Sequence, residues 1–304
     1  MILLYHLVFP DSTPRGTWNA GLVLRMSKFK QHILWINKRH QIIKLDDYAA
    51  LYRQSPELLS DKFAITFDDG YRSVVELVAP FFESQQIPAT FFCTTRHFEK
   101  HDLLWFVFIN ALCSERSYDK ISFEGRDYRL DTRKPALETW RMLIRKARES
   151  GDPIGFASNL AQKYPLPPQV MRRYKGVTEE QLQMIAKSDV LSLGGHTHNH
   201  PYLDQLSLDA QIQEMATNKQ ILEELSQAKV SLFAYTGGVY NHDSLNAVRS
   251  VGYDAAFAVN PKNIGKDRML EIPRTDIYSP SLLKLKLRVS GFGKIGKSLL
   301  RRGS

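Results

Sequence analysis

Cysteine is nearly absent. Cys93 and Cys113 are the only two in 304 residues, too few for a disulfide framework and a pointer to a reducing compartment. Cys93 closes a strand-like run and reads as a buried thiol. Long apolar runs are missing as well: no stretch approaches the ~20 apolar residues of a membrane span. Met1 to Val8 is apolar but short, carries His6 and runs into Pro10-Asp11. It has no basic start and no small-residue cleavage site, so it reads as a first strand rather than a secretion signal. The expected location is therefore cytoplasmic. The chain carries a net charge of +9, from 41 Lys and Arg against 32 Asp and Glu. No nucleic-acid-binding motif accompanies that charge, and no nucleic-acid partner is expected. Acidic residues are also missing from Tyr278 onward, where seven basic ones stand: Lys284, Lys286, Arg288, Lys294, Lys297, Arg301 and Arg302.

What is present is an ordinary globular composition, 43% apolar and 24% charged, with ample material for a core. Strand-like and helix-like runs alternate. Ile2–Tyr5 reads as a strand. Ser27 is placed to cap a helix whose Phe29, Ile33 and Ile36 share a face. Phe63–Phe67 is a strand, followed by a helix with Val74, Leu77, Val78, Phe81 and Phe82 on one stripe and a possible kink at Pro80. Ala89–Cys93 is a strand. Thr178–Lys187 is a helix capped at Thr178, and Val190–Leu193 a strand. Ser207 opens the longest helix, with Leu208, Ile212, Met215, Leu222 and Leu225 in phase. Val230–Tyr235 is a strand, Asn241–Val251 a helix stopped by Gly252, Ala255–Val259 a strand, and Met269–Ile272 the last strand.

Repeated strand–helix units imply a parallel sheet with helical crossovers. Seven or eight such strands point to a barrel, whose chemistry collects at the carboxyl ends of its strands. The segment 94–175 is a long insertion with a helix over Pro135–Ser150, too long and too apolar for a simple loop. It is expected to form a helical flap beside the active face. Trp105 and Phe106 within it read either as core or as a sugar-stacking platform.

Two strings carry chemistry, each just after a strand: Thr66-Phe67-Asp68-Asp69-Gly70 and His196-Thr197-His198-Asn199-His200. Together they offer two imidazoles, a carboxylate ligand and a spare carboxylate base, the parts of a hydrolytic metal site. The i, i+4 spacing puts His196 and His200 on one face of a helical turn. His198 would join them only on a strand; Gly194-Gly195 and Pro201 argue for a turn, which leaves His198 outside the ligand set. Thr197 is expected to orient the loop through its hydroxyl. A polar cluster without metal is the plainer alternative.

The paired strings resemble those of the polysaccharide deacetylases, the NodB-homology group of carbohydrate esterase family four. The resemblance runs from about Leu4 to Asp276. It is supported by Tyr5-His6, Pro88-Ala89-Thr90-Phe91-Phe92, Phe233-Ala234-Tyr235 and Ile272-Pro273-Arg274. It implies a distorted (β/α) barrel of seven parallel strands over residues 1–276, followed by a basic tail, 277–304. It also implies one divalent metal on Asp69, His196 and His200. Zinc is the default for two nitrogens and one oxygen, with cobalt, nickel, manganese and iron also fitting. Asp68 would be the base that deprotonates the attacking water, or, on the plainer view, a capping residue.

The chain departs from the family in two places. In Ala234-Tyr235-Thr236-Gly237-Gly238, Ala234 stands where an arginine would hold the base, Thr236 replaces a proline, and Gly237 replaces the aromatic whose N–H helps bind the oxyanion. A backbone donor needs no side chain, so Gly237 still qualifies, in a less rigid loop. Arg274 then becomes the candidate to hold Asp68. The family's late Leu-x-His acid has no counterpart; no histidine follows His242. His6 and His242 are the candidates to replace it, and Asp254 resembles a supporting aspartate.

The expected activity is removal of an acetyl group from an N-acetylated sugar during glycan synthesis, with a lipid-linked glycan as a candidate substrate. The alternatives are an O-acetyl esterase, a carbohydrate-binding relic and a two-histidine, one-carboxylate iron oxygenase. The strict alternation from Lys284 to Arg288 reads as an edge strand, and the tail as a peripheral contact with the anionic inner face of a membrane, at roughly 1 kcal/mol per basic residue.

Overall fold

The computed structural model of the chain describes residues 1–13, 23–96, 98 and 103–290. Seven strands are labelled in chain order: β1 (Ile2–Tyr5), β2 (Lys62–Phe67), β3 (Ala89–Cys93), β4 (Leu191–Gly195), β5 (Leu232–Ala234), β6 (Ala255–Val259) and β7 (Ile272–Asp276). Each is parallel to both neighbours, and β1 pairs with both β2 and β7, so the sheet closes on itself. The expected seven-stranded barrel is therefore what forms. Its thinnest seam is between β4 and β5, where a single register pair, Phe233 with Gly195, is recorded.

Eleven helices are labelled: α1 (Met26–Asn37), α2 (Leu45–Gln54), α3 (Arg72–Gln85), α4 (Trp105–Ser114), α5 (Arg133–Glu149), α6 (Pro153–Lys163), α7 (Pro168–Arg173), α8 (Glu179–Ala186), α9 (Leu208–Ser226), α10 (His242–Val251) and α11 (Leu282–Val289). Thr178, Ser207 and Asn241 cap α8, α9 and α10 as their sequence positions suggest, and Gly252 ends α10 in the left-handed conformation. Among the described residues no helix is long and apolar enough to cross a membrane.

A small cluster that includes Ile2, Ala64, Phe92, Leu232, Phe257 and Ile272 packs together, contributed from facing strands of the ring. The larger core lies between barrel and helices. Gly194 makes the interior packing possible, because a Cβ there would sit 2.3 Å from the Phe92 ring.

Several local expectations need correcting. Ser27 does not cap α1, which begins at Met26. Instead Asp11 accepts from the Ser27 N–H (3.1 Å) and hydroxyl (2.6 Å), so the loop before the helix supplies the acceptor. α3 runs through Pro80 as one helix. Residues 268–270 form a 3₁₀ turn, and the last strand lies further on, at Ile272–Asp276.

The stretch read as an edge strand, Lys284–Arg288, is the helix α11. Ser281 caps it, and Leu282, Leu285 and Val289 pack on the core at helical spacing. A five-residue alternation is compatible with both periods, and the flanking apolar residues decide it. The second basic stretch, Lys294–Arg302, lies outside the described residues.

Candidate metal centre

Asp68 and Asp69 follow directly on β2, at its carboxyl end. Asp69 (φ 72°) and Gly70 (φ 70°) turn the chain sharply there. Gly70 is required twice over, by its positive φ and because a Cβ would meet Cys93 at 3.1 Å. The Thr94 hydroxyl donates to the Asp69 carbonyl (3.1 Å), tying the ends of β2 and β3. This turn sends the two adjacent carboxylates to different partners.

Residues 196–200 do not form the expected helical turn. They make a tight loop in which Thr197 (φ 62°) and His200 (φ 56°) are left-handed. The Thr197 hydroxyl accepts from the His200 N–H (3.1 Å), as expected of it. Glu214 of α9 accepts from the N–H groups of His198 (3.1 Å) and Asn199 (2.8 Å). Loop strain, rather than helix periodicity, brings the imidazoles together.

Nε2 of His196 lies 3.5 Å, and Nε2 of His200 3.4 Å, from Asp69 Oδ1. One donor atom from each of the three residues lies within 4.8 Å of the others, and all three side chains are buried. Two ligands about 2.1 Å from a tetrahedral zinc stand roughly 3.4 Å apart, so the spacing suits a divalent ion. The protonation pattern suits it too. The His196 Nδ1 faces the Ala234 carbonyl at 2.8 Å. Donation there leaves Nε2 as the free lone pair. His198 is turned away, its Nδ1 hydrogen-bonded to the Thr95 hydroxyl at 2.9 Å.

Asp68 has another environment. Arg274, on β7, donates from Nη1 to Oδ1 and from Nη2 to Oδ2, both at 2.7 Å. The fork also reaches the Thr66 hydroxyl (3.3 Å), and the guanidinium lies over the Phe92 ring. Both side chains are buried. Thus Arg274, reaching across from the far side of β1, is the guanidinium paired with Asp68. Burial pushes the Asp68 carboxyl up, but Arg274 together with His196 outweighs it, and the group lies below the ordinary aspartate value. Burial also opposes ionisation of Asp69, yet its hydrogen bonds to His196 and His200 hold it well below that value. For His196 the burial penalty is outweighed by the Asp68 and Asp69 carboxylates and the shift is upward; for His200 burial wins. Burial, then the Asp69 carboxylate, pushes the neighbouring Tyr71 hydroxyl well up. Cys93 is a buried free thiol pushed up to about 12, inert as a ligand or nucleophile.

These groups open into a cavity of about 270 Å³, near the lower end of the usual ligand-pocket range. Gly237 lines it at φ 59°, a conformation that explains glycine in place of an aromatic side chain. Its loop has compensating ties. The Thr236 hydroxyl donates to the Pro201 carbonyl (2.6 Å), and the Tyr235 hydroxyl to the Leu270 carbonyl (2.9 Å). His6 also lines the cavity.

His242 and Asp254 do not. His242 is exposed at the start of α10. Asp254 precedes β6, at the opposite rim of the barrel, where it pairs with Lys229 at 3.3 Å in solvent. His242 follows the carboxyl end of β5 but points to solvent from the first turn of α10, and Asp254, likened to a supporting aspartate by sequence order alone, lies at the other end of its strand.

The insertion supplies the cavity's other wall through Trp105, Phe106, Asn110, Trp140 and Ile144. Trp105 is buried, and its indole N–H donates to the His200 carbonyl (2.9 Å). The Phe106 ring lies against the His200 imidazole at a 33° tilt, with centroids 4.2 Å apart. Trp105 is therefore a brace for the histidine loop, and Phe106 presents the aromatic face.

Sequence reading missed Asn218. Its carbonyl accepts from the His196 N–H (3.0 Å), and its amide donates to the Cys93 carbonyl (2.9 Å). The signal was available: Gln211 and Asn218 are polar residues in phase with Met215 and Leu222 on the buried face of α9. It also missed Asp276 and Tyr278, which line the cavity beside Arg274. The Tyr278 hydroxyl donates to Asp276, whose Oδ1 is buried without a partner.

The family model for polysaccharide deacetylases matches residues 57–256, well over half of the chain. A curated relative, the putative polysaccharide deacetylase YxkH of Bacillus subtilis (strain 168), is 28% identical over 92 residues; the match spans 30% of this chain and 33% of that relative. The fold is shared with solved structures. A Streptococcus pyogenes deacetylase, PplD, in complex with acetate has a TM-score of 0.61 at 17% identity, covering 95% of this chain and 96% of its own. A de-N-acetylase from Aggregatibacter actinomycetemcomitans has a TM-score of 0.58 at 14% identity, covering 94% and 97%. The extent of the family-model match, together with a closed barrel bearing both motifs at one mouth, makes this chain a member of the polysaccharide deacetylase family.

Proposed function

We propose that the protein removes an acetyl group from an N-acetylated sugar by metal-assisted hydrolysis. The observation that carries this reading is the division of labour between Asp68, forked by Arg274, and Asp69, grouped with His196 and His200, in one cavity. The de-N-acetylase among the fold relatives supports an amide as the bond. A divalent ion held by Asp69, His196 and His200, zinc by the donor set, would supply Lewis-acid polarisation and a more acidic water.

The chain's own residues do the rest. Asp68, kept ionised by Arg274, accepts the proton of the attacking water. The Gly237 N–H, on a residue that lines the cavity, is assigned to the oxygen that becomes negative as the acetyl carbon turns tetrahedral. His6, the histidine of the cavity outside the ligand set, gives a proton to the departing amine. Acetate and a free amino sugar are the products. An ester substrate would demand less of His6, because an alkoxide can depart with little protonation whereas an amide nitrogen must be protonated before it leaves, so an O-acetylated sugar is the second reading.

The test is acetate release from a panel of N-acetylated and O-acetylated sugars, using chelated protein, protein restored with zinc or cobalt, and Asp68→Asn. Metal-dependent release from N-acetylated members, lost in the variant, is the expected result. Release from O-acetylated members alone would move the assignment to an esterase. Stoichiometric metal binding with no release from any member would favour a carbohydrate-binding protein.

A further inference from the structure

The face of α11 turned away from the barrel is unlike the rest of the surface. Six large apolar side chains are well exposed among the described residues, and three of them, Tyr278, Leu283 and Leu287, fall in the short stretch from Tyr278 to Leu287. Leu283 is 65% and Leu287 47% exposed. They are four residues apart on a helix, so they form one ridge. Leu285 is buried and Leu282 and Val289 pack on the core, which fixes the opposite side of the helix against the protein. At 100° per residue, Lys286 and Lys284 flank the ridge on its two sides. Lys286 lies over the Trp35 ring of α1. No acidic residue occurs from Tyr278 to the end of the chain, where seven basic ones stand.

We propose that α11 is an in-plane docking helix for an anionic lipid surface. An apolar ridge flanked by lysines is the arrangement in which leucines enter the acyl boundary while ammonium groups remain among the headgroup phosphates. Charge selects this occupant over a second copy of the chain. A two-fold contact through α11 would set Lys284 and Lys286 against their own counterparts with no carboxylate between them.

The helix is also mounted on the cavity wall. The Arg288 guanidinium donates to the Asp276 carbonyl, and Asp276 and Tyr278 line the cavity. Docking through α11 therefore places the mouth of the cavity beside the lipid headgroups. Only this last consequence rests on the proposed function; lipid binding by the helix is independent of it.

Co-sedimentation of the full chain with phosphatidylcholine vesicles, with and without phosphatidylglycerol, in low and physiological salt, tests the assignment. Binding should require the anionic lipid. Leu283→Asp and Leu287→Asp should each weaken it roughly tenfold, the loss of one leucine's transfer from water. Lys284→Glu and Lys286→Glu should each weaken it by at least about fivefold in low salt. All four sites are exposed, and unchanged thermal unfolding would confirm that the variants remain folded. No sedimentation with anionic vesicles in low salt overturns the proposal. Binding that is indifferent to both leucine changes also overturns it, because the charge beyond residue 290 would then suffice. Self-association in solution that the leucine changes abolish assigns the face to a second copy instead.

Discussion

Two aspartate–cation pairs sit at opposite rims of the barrel. Asp68, at the carboxyl end of β2, and Arg274, in the middle of β7, are buried and joined by two bonds of 2.7 Å. Asp254 and Lys229 meet at 3.3 Å before β6 and β5, with side chains 62% and 73% exposed. The residue types are nearly alike and the consequences differ. In water, the exposed pair gains little and holds nothing in place. In the interior, the desolvation of one carboxylate has to be offset by a partner of fixed geometry. That partner then determines where the carboxylate points and whether it is ionised. The barrel thus separates an end that can hold a charge in a working state from an end that leaves it to solvent.

Breaking the buried pair should have the largest effect. Asp68→Asn keeps the shape but removes the proposed proton acceptor. It should lower turnover by roughly 10²–10⁴-fold on whichever substrate the panel identifies, with the metal still bound as measured by elemental analysis. Arg274→Met attacks the same pair from the other side. It leaves a buried carboxylate uncompensated and should destabilise the fold by about 3–5 kcal/mol in denaturant titration. The pH profile sharpens the point. With Arg274 present, Asp68 lies below the ordinary aspartate value, so its contribution to stability is present above that value and lost as pH falls through the folded one. With Arg274 gone, burial dominates and raises the carboxyl, so the acid limb of the rate profile should move to higher pH. An acid limb that stays in place would detach Asp68 from Arg274.

Asn218→Ala should have an intermediate effect, about 1–3 kcal/mol of stability, because it strips the His196 N–H and the Cys93 carbonyl of a partner at once. It should also weaken metal binding, read by competition with a chelator. Asp254→Ala completes the comparison at the small end. Its stability should change by less than about 0.5 kcal/mol, with acetate release unaltered. A large loss of activity there would show that the two rims are not separated as described.

The closed barrel was legible because each strand–helix alternation announces its own period, and the two motifs lie in continuous strings. Arg274 was legible as a candidate partner of Asp68 from the gap at Ala234, although it lies in the middle of β7 rather than at its end. What escaped was information that local sequence does not carry. The i, i+4 spacing of two histidines fits a helical turn, yet the loop 196–200 is not one. Only Glu214 and Trp105, far away in the chain, show why left-handed residues are tolerated there. Asn218 was hidden as a polar residue on a helix read by its leucines. For α11, a short alternation of leucine and lysine concealed a helix until Ser281 and Leu285 were seen in place.

The hydrogen bond from His196 to the Ala234 carbonyl has a consequence for the chain's tolerance of change. In many metal sites the imidazole is oriented by a carboxylate that a single substitution can remove. Here the acceptor is main chain, on β5, the strand joined to β4 by the thinnest seam of the barrel. No side-chain replacement at position 234 deletes that acceptor, so the Nδ1 hydrogen bond that orients this imidazole is insulated from substitution there. It is exposed instead to local opening of one seam. Amide hydrogen exchange along β4 and β5 would therefore report how often the histidine is released to rotate.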